Sequence, residues 1–183
     1  MSTIEEVAAL LTGARRVVLV PGYGVAVAQA HHALANLAGV LERRGPAVEF
    51  ALHPVAGRVP GQLDALLDAA GVPWSARRDL DTATFDAGSI ALVVGANDVV
   101  NPALAMPVLE VARAGSVVVF LDATGPGFAG VANPLFAGAT VIRGDALDLV
   151  RETEQAVTRI TQPRDDVAEL VEPVVQPGHH DRY

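Results

Sequence analysis

The sequence predicts a doubly wound α/β domain, with about six mostly parallel strands and helices on both faces. Three observations carry that expectation. Short, continuously apolar, β-branched runs recur along the chain, and such runs suit strands buried on both faces of a parallel sheet. Stretches with apolar residues at helical spacing alternate with them, which implies βαβ crossovers. Glycine, alone or with proline, punctuates most of the joins.

Ile4–Leu11 reads as a helix, with Glu5 and Glu6 in its first turn and Ser2 or Thr3 as its cap. Arg16–Pro21 is the first strand, ended by Gly22–Gly24. Val25–Arg44 follows as one long Ala/Leu helix closed by Gly45. Ala47–Leu52 is the second strand, His53–Gly61 a Gly/Pro-rich turn, and Gln62–Ala70 a helix closed by Gly71. Trp74–Leu80 is a weaker strand and Ile90–Val94 a clear one, again followed by glycine. Val108–Ala114 reads as a helix closed by Gly115, Ser116–Leu121 as a strand, and Thr124–Gly130 as a glycine-rich loop. Thr140–Arg143 is a last short strand and Ala146–Thr161 a last helix. Residues 1–161 therefore form one domain, and 162–183 a Pro/His-containing extension expected to be disordered.

Composition narrows the function. The 183 residues suit a single domain, and 51% are hydrophobic but only 4% aromatic, so the core must be built from Ala, Val and Leu. A net charge of -8, from 13 Lys+Arg against 21 Asp+Glu, repels polyanions and argues against a nucleic-acid partner. A small anionic ligand held by backbone N–H groups remains compatible. The absence of cysteine excludes disulfides and thiolate chemistry. The first 13 residues lack the basic start of a signal peptide, and no apolar run reaches the ~18–20 residues of a membrane span. A cytoplasmic protein is expected. Neither a nucleophile–base pair nor metal-ligand spacing is present, so no metal is expected. His31-His32 reads as a surface pair, His53 as a residue that orders its loop, and the adjacent His179-His180 lacks site geometry.

One motif points to a ligand. Gly22-Tyr23-Gly24-Val25-Ala26-Val27, between the first strand and a helix, is a variant of the Rossmann dinucleotide fingerprint. Its first glycine allows a tight turn and its second lets a pyrophosphate approach, while Val27 is larger than usual at the third place. The same glycines also fit a plain strand–turn–helix that needs positive φ. The carboxylate that usually ends the second strand is missing: His53-Pro54 stands there and Glu49 lies inside the strand. The standard mode of NAD binding is therefore unsupported. Arg58, in a loop at a strand's carboxyl end, reads as a ligand residue rather than a solvated arginine. Asp98 reads equally as a functional carboxylate or as a turn-former, and Asn97 and Asn101 are also good turn residues.

Five segments, in order, resemble the NADP(H)-binding domain III of proton-translocating NAD(P) transhydrogenase. They are Pro21–Ala30, His53–Gly61, Gly95–Pro102, Phe128–Val131 with Asn133, and Gly144-Asp145-Ala146, and the resemblance runs from about Val7 to Ile160. It implies a Rossmann-like domain that binds NADP(H) in reversed orientation, which accounts for the missing carboxylate. It implies cofactor contacts from Gly22, Tyr23, Gly24, Val25, Ala26 and Val27, and from Val55, Ala56, Gly57, Arg58 and Pro60. Gly95, Ala96, Asn97, Asp98, Val99 and Asn101 join them, with Gly127, Phe128, Ala129 and Gly130 of a lid loop and Asp145 and Ala146. Arg58 would hold phosphates, and Asp98 would serve the nicotinamide site and proton coupling.

Two departures matter. Where the family has a Lys-Arg pair for the 2′-phosphate, and then serine, this chain has Leu121, Asp122 and Ala123. A carboxylate repels a phosphate but accepts hydrogen bonds from a ribose diol, so Asp122 favours NAD(H) over NADP(H). The loop that faces the NAD(H)-binding partner in the family is shortened, so that Met106-Pro107 follows closely on Asn101-Pro102. Hydride transfer needs a second redox partner within contact distance. The domain is therefore expected to exchange hydride with a separate NAD(H)-binding subunit, and not to be catalytic alone. The alternative is a non-catalytic module that binds or senses NAD(H) or another adenine nucleotide. A homo-oligomer is compatible with either.

Overall fold

Apolar runs without polar alternation cannot face water on either side, and here they pair in parallel between covering layers. The computed structural model describes residues 2–123 and 125–160. Its strands are β1 (Arg16–Pro21), β2 (Ala47–Ala51), β3 (Arg77–Arg78), β4 (Ser89–Val94), β5 (Ser116–Leu121) and β6 (Thr140–Arg143). They form one sheet in the order β3-β2-β1-β4-β5-β6, every neighbouring pair parallel. The chain winds outward from β1 to β3, crosses to β4, and winds outward the other way. Right-handed crossovers then put the two sets of connections on opposite faces and open a crevice at the carboxyl ends of β1 and β4.

The core is aliphatic, as the composition requires. All six residues of β4 and five of the six of β1 are buried. Phe50 and Phe120 are the largest fully buried side chains. Helices α1 (Ile4–Thr12), α3 (His31–Arg44) and α6 (Ala146–Ile160) pack on one another. Thr3 starts α1 with a capping box: its hydroxyl accepts from the Glu6 N–H at 3.2 Å, and the Glu6 carboxylate accepts from the Thr3 N–H at 3.0 Å. Among the described residues no helix is long and apolar enough to cross a membrane. The extension expected at 162–183 lies outside the described residues, as does Thr161.

Three expectations about elements are corrected. The helix expected over 25–44 is two helices, α2 (Tyr23–Val27) and α3, separated by a Schellman turn. The Ala30 N–H bonds the Val25 carbonyl at 2.9 Å, and the Gln29 N–H bonds that of Ala26 at 3.3 Å. Gln29 takes the left-handed position at φ 51, a place usually held by glycine, so no residue type announced the break. The helix expected over 108–114 is irregular apart from a 3-10 turn at Val111–Arg113. The Leu109 N–H is diverted to the Val99 carbonyl at 2.9 Å, and Pro107 has no N–H to give. The strand expected over 74–80 is a 3-10 turn, Trp74–Ala76, and the two residues of β3. Side chains hold that edge in place of a longer ladder. The buried Arg77 reaches Asp68 at 2.7 Å and Asp64 at 3.3 Å, and Arg78 reaches Glu49 at 3.1 Å. Two short elements went unexpected: a 3-10 turn at Asp98–Val100 and α5 (Leu135–Gly138). Helix α4 spans Gln62–Ala69.

His31, expected at the surface, is buried, and its Nδ1 has no hydrogen-bond partner. Desolvation lowers its pKa below the ordinary imidazole value, and repulsion from His32, whose ring lies 4.4 Å away, lowers it further. A depressed folded-state pKa means that the unfolded chain binds more protons below about pH 6.5, so stability falls with pH there. Denaturant melts should show that loss between pH 7 and pH 5. His31→Asn should flatten it while leaving stability at pH 8 little changed.

Candidate functional site

The site begins where β1 and β4 end. The Gly22 N–H donates to the Val94 carbonyl, the Gly24 N–H to that of Gly95, and the Gly95 N–H to that of Phe120, each at 2.9 Å. Neither Gly22 nor Gly24 takes positive φ. A Cβ on Gly22 would collide with Ala96 and the Gly95 carbonyl, and one on Gly24 would lie 2.7 Å from Gly95 Cα. These glycines thus let two backbones touch. They also commit two N–H groups to the last residue of β4 and the residue after it.

Above this contact the crevice has two lobes. The first, of about 820 Å³, is lined by the turn residues Gly22 and Tyr23, by Val55, Ala56, Gly57 and Arg58, by Gly95 to Val99, and by Gly127, Phe128 and Ala129. Leu104 and Met106 line it too; the sequence reading missed them because they belong to the shortened connection. The second lobe, of about 320 Å³, is lined by Gly24 and Val27, by Asp122, Ala123, Gly125 and Pro126 after β5, and by Asp145 and Ala146 after β6. Gly95 and Asn97 border both lobes. Five separate segments, one after each of β1, β2, β4, β5 and β6, therefore bring most of the expected residues together. Val25, Ala26, Pro60, Asn101 and Gly130 line neither lobe.

The 97–101 segment clasps the lid loop. The Asn97 amide donates to the Gly125 carbonyl at 3.0 Å, and the Asp98 carboxylate accepts from the Ala129 N–H at 2.9 Å. Asn101, fully buried, donates to the Val131 carbonyl at 3.2 Å and accepts from the Ala103 N–H at 2.9 Å. Asn133 returns a hydrogen bond to the Asn97 carbonyl at 3.1 Å. Asp98 thus starts a local 3-10 turn with its backbone while its side chain reaches a residue 31 positions along the chain. Its other oxygen is buried without a partner and faces Gly127, where a Cβ would collide with it. An unsatisfied acceptor in a cleft is a place for a donor to arrive.

The opposite wall is the 53–61 loop. The Val55 N–H donates to His53 Nδ1 at 3.1 Å, so Nε2 carries the proton and donates to the Pro107 carbonyl at 2.8 Å. His53 orders its own loop, as expected, and also fastens the shortened connection to it. The Arg58 guanidinium stands over the Tyr23 ring, 5.2 Å from its centroid. In the second lobe, Asp145 caps α6, its Oδ1 accepting from the Leu147 N–H at 2.9 Å and the Asp148 N–H at 3.1 Å.

Comparison with known proteins gives one family. Residues 1–156 match the model of the NAD(P) transhydrogenase beta subunit. Over 166 residues the chain is 40% identical to NAD(P) transhydrogenase subunit beta of Rhodospirillum rubrum, which covers 84% of this chain and 36% of that protein. The same figures hold for the sequence from a named strain of that species. The chain thus spans about a third of the length of these relatives. A solved structure ascribed to a thiamin diphosphate-dependent enzyme from Mycobacterium smegmatis superposes with a TM-score of 0.51 at 17% identity, covering 96% of this chain and 30% of that one. That likeness shows the fold alone.

If the clasp holds the 125–133 loop, Asn101→Ala should cost about 1 kcal/mol in urea melts, since it removes part-buried hydrogen bonds to two segments. It should also speed proteolytic cleavage within 125–133. Gly24→Ala should cost ~1–3 kcal/mol by overpacking against Gly95.

Proposed function

The chain belongs to the NAD(P) transhydrogenase beta-subunit family, and from that premise we propose that it holds a nicotinamide dinucleotide across the two-lobed cleft and exchanges hydride with a separate NAD(H)-binding partner. The observation that carries this reading is the convergence of the Gly-Tyr-Gly turn, the Arg58 loop and the clasped lid on one crevice at the sheet's crossing point. Ligands of open parallel sheets bind at that position.

The chain's residues divide the work. Hydride must pass to a group on another protein, so the reactive ring belongs in the larger lobe, whose rim exposes Tyr23, Val55 and Phe128. The adenosine end then lies in the second lobe, the reverse of the usual Rossmann orientation. That direction agrees with the lack of a carboxylate after β2 and with a glycine turn whose amides are already engaged. Arg58 swings from the Tyr23 face to neutralise the diphosphate. The lid, held by Asn97, Asp98 and Asn101, covers the ligand and excludes water. Bound cofactor supplies the hydride; the protein supplies position.

The connection from Asn101 to Met106 favours a second reading, a non-catalytic module that binds or senses the nucleotide. That connection forms no helix and borders the lobe where a partner would dock.

Calorimetric titration with the oxidised and reduced dinucleotides should give saturable binding at one site per chain, and absence of binding would sink both readings. Arg58→Ala should weaken binding about tenfold, the loss of one charge-assisted contact. Its melting curve should stay unchanged, because Arg58 is exposed. The readings separate when a purified NAD(H)-binding transhydrogenase subunit is added: dinucleotide-dependent hydride exchange supports the first, and binding without exchange the second.

A further inference from the structure

Resting on the dinucleotide reading above, we propose that the second lobe selects a dinucleotide whose adenosine ribose carries no 2′-phosphate, and that Asp122 is the selecting residue. The lobe contains two carboxylates, Asp122 and Asp145, and among the described residues no Lys or Arg lines it. Arg58 borders the other lobe. Arg143 ends β6, two residues before Asp145, and is outside the lining.

The two carboxylates are not equivalent. Asp145 spends Oδ1 on two backbone N–H groups at the start of α6. Its negative charge therefore also offsets the positive end of that helix, which is where an anion would otherwise find compensation. Asp122 follows directly on β5, is exposed, and caps nothing. It is the acceptor left for a ligand. A ribose 2′,3′-diol offers two O–H donors, which a carboxylate accepts in pairs. A phosphate monoester offers acceptors and nearly two negative charges; among the described residues it finds no cation here, and the Asn97 amide that borders the lobe already donates to the Gly125 carbonyl. Repulsion of that size at a partly solvated distance of several ångströms corresponds to on the order of 100-fold in affinity.

The test is direct titration of the full chain with NADH and NADPH, by fluorescence of the reduced ring and by calorimetry. Wild-type protein should bind NADH about 100-fold more tightly than NADPH. Asp122→Asn should narrow that gap about tenfold, and Asp122→Arg should invert it, with melting curves that match wild type. Arg143→Ala should leave the preference in place. Wild-type binding of NADPH as tight as, or tighter than, that of NADH overturns the proposal. So does a preference that neither Asp122 variant moves, or NADPH binding that Arg143→Ala abolishes. If neither nucleotide binds the folded chain, the dinucleotide reading fails and the proposal with it; in the other adverse outcomes that reading survives.

Discussion

Two backbones touch where β1 and β4 end, and the rest of the site is arranged around that contact. Parallel neighbours in a sheet normally diverge at their ends as each chain leaves for its crossover. Here Gly22 and Gly24 lie against Gly95 and Ala96, close enough that a single Cβ would not fit. The hydrogen bonds from Gly22 to Val94 and from Gly24 to Gly95 extend the ladder past the strand proper. That knot sets the floor of the cleft and fixes where α2 starts. It also sets where the 97–101 segment leaves, and so where the lid is held.

The cleft is organised largely by side chains that act at long range along the chain. Asn97, Asp98 and Asn101 reach about 30 residues ahead to the lid, and His53 reaches 54 residues ahead to Pro107. Each bond joins two loops that would otherwise be independent, so the walls of the cleft share their stability. The connection at 102–109 is part of the same framework. Its carbonyl at Pro107 serves His53, its N–H at Leu109 serves the Val99 carbonyl, and Leu104 and Met106 line the larger lobe.

Charge divides the two ends of the cleft. The larger lobe pairs a cation, Arg58, with an aromatic face and exposed apolar side chains. Among the described residues, the charged side chains that line the smaller are both carboxylates, Asp122 and Asp145. A ligand with a diphosphate in its middle and a neutral diol at one end matches that division.

Patterning by itself located every strand except the short edge at Arg77–Arg78, and pointed to their parallel pairing. A run such as Ile90–Val94 has no polar face to show to water, and β1, β5 and β6 have the limits their apolar runs indicate. The ordered motifs determined which loops converge. Local signals failed where a bond from elsewhere outweighed them. Gln29 ends α2 without the glycine that would mark a left-handed residue, and Leu109 gives its N–H to Val99 instead of to a helix. His31, polar and beside another histidine, is buried because α3 begins only after the Schellman turn has rotated it inward. Val25 and Asn101 belong to the ligand motifs in sequence, but the folded chain uses one in the core and the other to hold the lid. The reason is general to this site: sequence pattern records how each segment meets water, whereas the cleft depends on which distant backbone groups each side chain can reach, and only the folded sheet brings those within reach.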